Sequence, residues 1–442
     1  MPLESLDYVN YYLKKTMMKK ISSVVIQLCV LVSFLLFFCS QVCTAATTTV
    51  PIGVDTLPNA ISNASSGDVL LLLDGSYGST NQVETIDKSI IIQAVSRTLT
   101  PTLNFGLVID GDGISITLRG LTFNTTVQAV DLQRAAEVNL LENKFETSIR
   151  TYDYKITDGD GSLKIIGNHF ISNVNLTINV PDCYIAGNNI ESGVIVSKQP
   201  ISIVGNTISR VGSNLKVIDV TTNYSTRIIG NRINLTCSYV SSGRTCAGIY
   251  LANSTASVIA GNIINVDFPV SGSCMALHTQ SCNGTFVLNN VIYDSNVNGS
   301  GDCGIYNSGS DRVTGNIVYG FHYRSISYVN HRVMNNICFN GHSCGTENGN
   351  LEADPLFEDV NNFRLTASSL GINAGPVDYK YSDLDRSRND IGAYGGPWSI
   401  EQYDLQRTPG RTAPFVYPIF DSSYVAAGGQ LNVKSLGVAR LQ

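Results

Sequence analysis

The 442-residue chain carries 29 Lys and Arg against 35 Asp and Glu, a net charge of −6. Charged residues make up only 14% of it, against roughly 25% in ordinary globular chains. An acidic balance of this kind excludes nucleic acid and anionic membrane as natural partners, because both are held by clustered Lys and Arg.

Taken in order, residues 1–45 read as a signal peptide with a leader. Lys19-Lys20 precede an apolar run over residues 24–38, and Cys43-Thr44-Ala45-Ala46 supplies a small-residue cleavage context. The run is shorter than the ~20 residues a bilayer span needs, so the mature chain is expected to have no membrane span. Cleavage would leave 25 basic and 33 acidic residues, a net charge of −8. The expected location is secreted or cell surface.

Residues 51–78 read as an amino-terminal cap. Leu57, Ala60 and Ile61 suit a short helical turn, residues 69–72 a first buried strand, and Asp74-Gly75-Ser76 the turn after it. Residues 90–94 and 118–123 read as the strands of the next two coils.

From residue 165 onward one pattern recurs. Gly167-Asn168, Gly187-Asn188, Gly205-Asn206, Gly230-Asn231, Gly261-Asn262 and Gly315-Asn316 repeat a Gly-Asn pair, and Asn289-Asn290 and Asn335-Asn336 stand in for it. Three residues before the second member stand Ile165, Ile185, Ile203, Ile228, Ile259, Val287, Val313 and Val333. Two residues after it stand Phe170, Ile190, Ile208, Ile233, Ile264, Ile292, Val318 and Cys338. A β-branched strand enters a corner, Gly or Asn takes a backbone conformation that other residues resist, and a second short strand leaves. Copies stacked at about 4.8 Å would bring the Asn side chains into a hydrogen-bonded ladder and the apolar columns into one continuous core. Hairpins with Asn-Gly turns are the competing reading, but the order here is Gly-Asn and the columns persist through eight copies.

On these residues the chain resembles the pectin-lyase-like, right-handed parallel β-helix superfamily. Its amino-terminal cap resembles that of alginate lyase and chondroitinase B-type proteins. The expected fold is all-β, a solenoid of about ten or eleven coils over residues 46–396, capped at both ends. Asp354-Pro355-Leu356-Phe357, Ile372-Asn373-Ala374-Gly375 and residues 383–397 resemble the carboxy cap of choice-of-anchor β-helix proteins, departing at Leu370-Gly371 and Arg386. Residues 397–442 read as a linker and two strands, 415–420 and 430–438, resembling the start of a truncated β-sandwich.

Eight cysteines follow residue 45, an even number that suggests disulfides in an exported chain. The spacings favour Cys237 with Cys246, Cys274 with Cys282, and Cys338 with Cys344, leaving Cys183 and Cys303 without an obvious partner. Asn-x-Ser/Thr motifs at Asn63, Asn124, Asn175, Asn223, Asn234, Asn253, Asn283 and Asn298 would be glycosylation acceptors in a eukaryotic secretory pathway. The longest insertions fall between Asn206 and Asn290, where inserted loops would form a binding wall.

The polygalacturonase signatures that the superfamily would imply are absent, and no Asp-Asp pair occurs in the chain. A lyase needs a cation to neutralise the uronate carboxylate and a base to take the α-proton. For that role the sequence offers His322, Arg324, Arg332 and His342, with Arg312, Tyr323, Tyr328 and His331 as ligand-binding neighbours. An exterior polar ladder without a ligand is the plainer reading of the same residues. Asp383, Asp385 and Asp390 form one compact acidic turn, the only feature suited to a cofactor, and that cofactor would be calcium. Turn formation by Asp is the plainer account there too. The expectation is a monomeric β-helix that binds extracellular polysaccharide or a cell-surface glycan, or serves as a surface scaffold. Polysaccharide lyase and adhesin stalk are the alternatives, and whether the protein is an enzyme stays open at this point.

Overall fold

The computed structural model describes residues 45–404, apart from 97–99, 127, 136, 148, 151–160, 172–174, 242–244, 269–273, 297–301, 310–311 and 328–332. It also describes the strands Phe415–Phe420 and Val433–Val438. The expected signal segment, and Tyr328, His331 and Arg332, lie outside the described residues.

The chain winds as a parallel β-helix. Three sheets of 13, 12 and 11 strands run its length, and each strand pairs in parallel with its counterpart one coil away. In a typical coil Ile201–Val204 lies in the first sheet, Thr207–Ser213 in the second and Lys216–Thr221 in the third. The first sheet begins with Thr47–Val50, a strand the sequence pattern did not mark, paired to the expected first buried strand Val69–Leu72. The helical turn before that strand is Thr56–Asn63, with Leu57 and Ile61 buried.

The aligned columns are in register throughout. Ile165 pairs with Ile185, Ile185 with Ile203, and so on through Ile228, Ile259, Val287 and Val313 to Val333. All eight are buried in one cluster, and Phe123, Phe145 and Phe170 stack within the same core at 4.8 and 4.9 Å between ring centroids. Because every coil repeats the same inward positions, one coil's core is continuous with the next.

At each corner the glycine sits at positive φ, from 61° at Gly187 to 73° at Gly315, which glycine adopts without a steric penalty. The following Asn is buried and links three coils. Asn206 Nδ2 donates to Ile185 O at 2.9 Å and to Asn231 Oδ1 at 2.9 Å, while its own Oδ1 accepts from the Asn188 backbone N–H at 2.9 Å. The ladder reaches further than the repeat suggested, from Asn143 through Asn350. Backbone groups left unpaired by a sharp corner are thereby satisfied inside the core.

After the last corner the chain turns back. The segment from Leu351 packs Phe363, Ile391 and Ile400 against Ile263, Val291, Ile317 and Ile337. Tyr381 joins Ala260 and Leu288, and Tyr403 joins Val204 and Ile229, residues on the outer face of the first sheet. The two tail strands pair antiparallel, with Phe415 opposite Val438.

Two of the three expected disulfides are present, Cys237–Cys246 and Cys338–Cys344. The third is not, and Cys274 and Cys282 are free buried thiols. The reason is geometric: the strand Cys274–Gln280 runs extended between them, so their Cα atoms stand roughly 20 Å or more apart at ~3.3 Å per residue. No disulfide spans that distance. Seven of the eight motif asparagines are described and all seven are exposed, whereas the buried ladder asparagines carry no such motif.

Candidate functional site

The third sheet builds its outer face by simple alternation. Ile195, Ile218, Ile249, Leu277, Ile305 and Ile326 point into the core, so the next residue along each strand points outward. Those residues are Val196, Asp219, Tyr250, His278, Tyr306 and Ser327, paired coil to coil in one column. Five steps at about 4.8 Å give a line of roughly 24 Å.

Its middle is aromatic. The His278 ring meets Tyr250 and Tyr306 edge-on, both at 5.0 Å between centroids. His278 is 7% exposed and its Nδ1 has no partner among the described residues. Burial, with the Lys216 charge nearby, holds the imidazole neutral down to about 4. Tyr250 donates from its hydroxyl to Gln280 on the neighbouring strand, two residues from His278, and burial raises the phenol above its ordinary value.

One flank of the column carries charge. The Lys216 ammonium lies 3.0 Å from the Tyr250 ring centroid and 3.5 Å from Asp219 Oδ2. Burial lowers the Lys216 pKa, against the opposing pull of Asp219, and burial raises that of Asp219 in turn. An ammonium over an aromatic face beside a half-buried carboxylate is a cation–π and ion-pair site in one.

A cleft opens at each end of the line. Near Val196 and Asp219, a cleft of about 490 Å³ is bounded by Arg210, Asn214 and Lys216. Part of its wall comes from the insertions after Asn206 and Asn231, through Arg210, Asn214 and Thr245, and part from Asn175 and Val194 on earlier coils. The second-sheet strands lengthen here to Thr207–Ser213 and Arg232–Tyr239, against two residues at Lys144–Phe145. At the other end a cleft of about 980 Å³ is lined by Ser327, Arg324, His342 and Glu352.

The sequence-derived patch is therefore divided. Arg324 and His342 do share the larger cleft. Arg324 donates to Ser327 Oγ at 3.1 Å and lies 5.5 Å from the exposed Tyr323 ring. His322 is exposed on the coil beside His342, whose backbone N–H donates to Phe321 O at 2.7 Å. Arg312 is elsewhere: it lies on the first sheet beneath the returning chain, donating to the Tyr381 hydroxyl at 3.0 Å. Arg312 stands four residues before its corner Asn, on the first sheet, whereas His322, Arg324 and His342 follow theirs, so the expected patch joined residues from two sides of the corner.

The acidic turn uses its carboxylates on the backbone. Asp383 accepts from Asp390 N, Asp385 from Ser387 N at 2.8 Å, and Asp390 from Asn373 N at 2.7 Å. Burial raises Asp383 to about 6, and hydrogen bonds from Ser387 lower Asp385. Among the described residues no three His, Cys, Asp or Glu side chains converge as a metal group.

The Lys216–Tyr250–His278 cluster was missed in sequence because its members fall at different distances from their corners. Counting back from each inward residue of the third strand would have found it.

No family model matches the chain, and no curated protein does. Among solved structures it is similar to a PL6-family alginate lyase, AlyGC, at 11% identity and a TM-score of 0.37, covering 80% of this chain and 59% of that one. It is similar also to the pectate lyase Pel9A, at 13% identity and a TM-score of 0.36, covering 79% and 97%. A third likeness is to the Dettilon tailspike protein, at 13% identity and a TM-score of 0.32, covering 64% and 65%. The chain thus spans less than two thirds of the alginate lyase's length. At such identities the likenesses transfer neither a substrate nor a catalytic residue.

Proposed function

We propose that this is an exported β-helix protein that binds extracellular polysaccharide along the outer column of its third sheet. The observation that carries the reading is the in-register line Asp219–Tyr250–His278–Tyr306–Ser327, open to a cleft at either end. A polymer of repeating sugars suits a surface that itself repeats at every coil. Tyrosine and histidine rings offer apolar faces with polar tips, and Lys216 and Arg324 can meet acidic groups. Export is supported by the two disulfides and the seven exposed glycosylation motifs. None of the described helices is long and apolar enough to cross a membrane.

A second reading, cleavage of a uronate-containing glycan by β-elimination, is favoured by one feature. Lys216 supplies a cation for a carboxylate while His278 stays neutral with a free ring nitrogen. Binding is tested on a glycan array with wild type, Tyr250→Ala and Tyr306→Ala. The expected result is retention of one polysaccharide class by wild type and a loss of about tenfold or more in each variant. Equal retention by all three overturns the site. Release of unsaturated uronate from the retained glycan would add catalysis, and its absence would leave a binding protein.

A further inference from the structure

The outer face of the first sheet carries an apolar column that the described side chains only partly cover. Leu141, Ile166, Ala186, Val204, Ile229, Ala260 and Leu288 are paired in register, each one residue beyond an inward-pointing neighbour. The returning chain covers the last three. Tyr381 packs on Ala260 and Leu288, and the Trp398 carbonyl lies so close to Gly261 that a Cβ there would stand 2.0 Å from it. Tyr403 lies across Gly230, where a Cβ would stand 2.1 Å from its ring. From Leu351 to Tyr403 the chain has therefore run backwards, from the last coil toward earlier ones.

The described side chains stop at Tyr403, but the burial does not. Val204, Ala186 and Ile166 are 4%, 1% and 2% exposed, and Tyr184 beside them is 8% exposed. Outward-pointing side chains reach such values only beneath a further layer, since a bare sheet face is open to water. The described residue from the returning chain in this cluster is Tyr403, with Trp398 packed against its edge. Neither accounts for a column that continues two coils past Val204.

The chain itself supplies an occupant. Residues 405–442 follow directly, and the ten residues before Phe415 can span roughly 35 Å at most, against about 15 Å for three coils. They lead to the hairpin Phe415–Phe420 with Val433–Val438, in which Tyr417 stands opposite Leu436. A two-stranded hairpin is marginal in water unless it packs on something, and an apolar sheet face without a cover is equally unfavourable.

We propose that the chain after Tyr403 continues along this column and that the 415–438 hairpin docks on the first sheet's outer face between Leu141 and Val204. This face is opposite in role to the proposed glycan column, and the inference does not depend on that reading.

The test uses the full chain. Trypsin cleavage after Arg407 and Arg411 is timed in wild type and in Ala186→Glu, with Ile166→Glu as the alternative should that variant fold poorly. The expected result is cleavage about tenfold or more faster in the variant, because it tracks the undocked population, while the β-sheet circular dichroism is unchanged. Sedimentation should show a wild-type monomer. Equal cleavage rates in wild type and both variants overturn the proposal. So does a wild-type dimer whose tail is cut freely, since a second copy would then be the occupant.

Discussion

Asn289 and Asn389, one hundred positions apart, exchange amide hydrogen bonds at 3.0 and 3.2 Å. Asn289 Nδ2 also donates to Asp390 O at 2.7 Å, and Asn335 Nδ2 donates to Ala374 O at 3.1 Å. These two asparagines are the ones that replace glycine in the repeated pair. Both hold positive φ, 49° and 53°, and both anchor the returning chain. The deviation from the repeat is the attachment point.

Asn289→Gly relieves the backbone but removes the donor to Asn389 Oδ1 and to the part-buried Asp390 carbonyl, while Asn389 keeps its bond to Tyr381 O. The expected outcome is a net loss of about 1–3 kcal/mol, because unsatisfied buried polar groups cost more than a relaxed φ returns. Asn335→Gly should lose less, since one bond is at stake. Urea midpoints check this, and an Asn289→Gly protein as stable as wild type would show that the amide exchange does not hold the cap.

That pairing also marks what the sequence could and could not reveal. The inward columns, the corner glycines and the asparagine ladder are strictly local and repeat at the same offset from Asn168 to Asn336, so the pattern alone locates them. The third-sheet column of Asp219, Tyr250 and His278 depends on coil length, which varies with every insertion, and it emerges only when strands are aligned by burial. Arg312 illustrates the opposite error, a residue in the expected column whose face is taken by Tyr381. The missing Cys274–Cys282 bond belongs to the same class. Eight positions of separation suggested a closed loop, but a seven-residue strand fills it.

Asp294 and Asp302 give a prediction in pH. Both are fully buried, and Asp294 Oδ2 and both Asp302 oxygens lack a donor among the described residues. Burial, reinforced by the neighbouring Asp302 carboxylate, favours the protonated form and raises Asp294 to about 8. Unfolded, Asp294 releases its proton near 4. Between those values the folded state binds more protons, so stability should fall as pH rises through that window. His278, lowered to about 4, has the opposite slope below its unfolded value of about 6.5. The decline is therefore clearest between about pH 6.5 and 8. Thermal midpoints of wild type and Asp294→Asn should diverge there, and parallel curves would show that Asp294 does not keep its proton in the folded state.

The free thiols are a chemical count. Cys183, Cys274, Cys282 and Cys303 are buried, and burial raises Cys274 and Cys303 to about 12 and Cys183 further. A thiol held protonated and covered does not react. Protein lacking residues 1–45 should take no label from a polar alkylating agent when native, and four when denatured without reductant. Two labels instead of four would mean that Cys274 and Cys282 do pair.

The last prediction concerns the sign of the ligand. Lys216 and Asp219 are 3.5 Å apart at the mouth of the smaller cleft, each half-buried. A polyanionic glycan would gain from the first and be repelled by the second, despite the chain's net negative charge. Lys216→Gln should then weaken retention about tenfold and flatten its dependence on salt, since the screened attraction is what salt removes. Asp219→Asn should act the other way, strengthening retention by removing the repulsion while keeping the side chain's shape. A neutral polysaccharide would answer to neither change but would still be lost in Tyr250→Ala, because ring contact does not depend on charge. Opposite shifts in the two charge variants, measured at two salt concentrations on the retained glycan, identify an acidic polymer. Identical retention in both, with Tyr250→Ala still deficient, would rule the acidic polymer out and leave the aromatic line as the basis of binding.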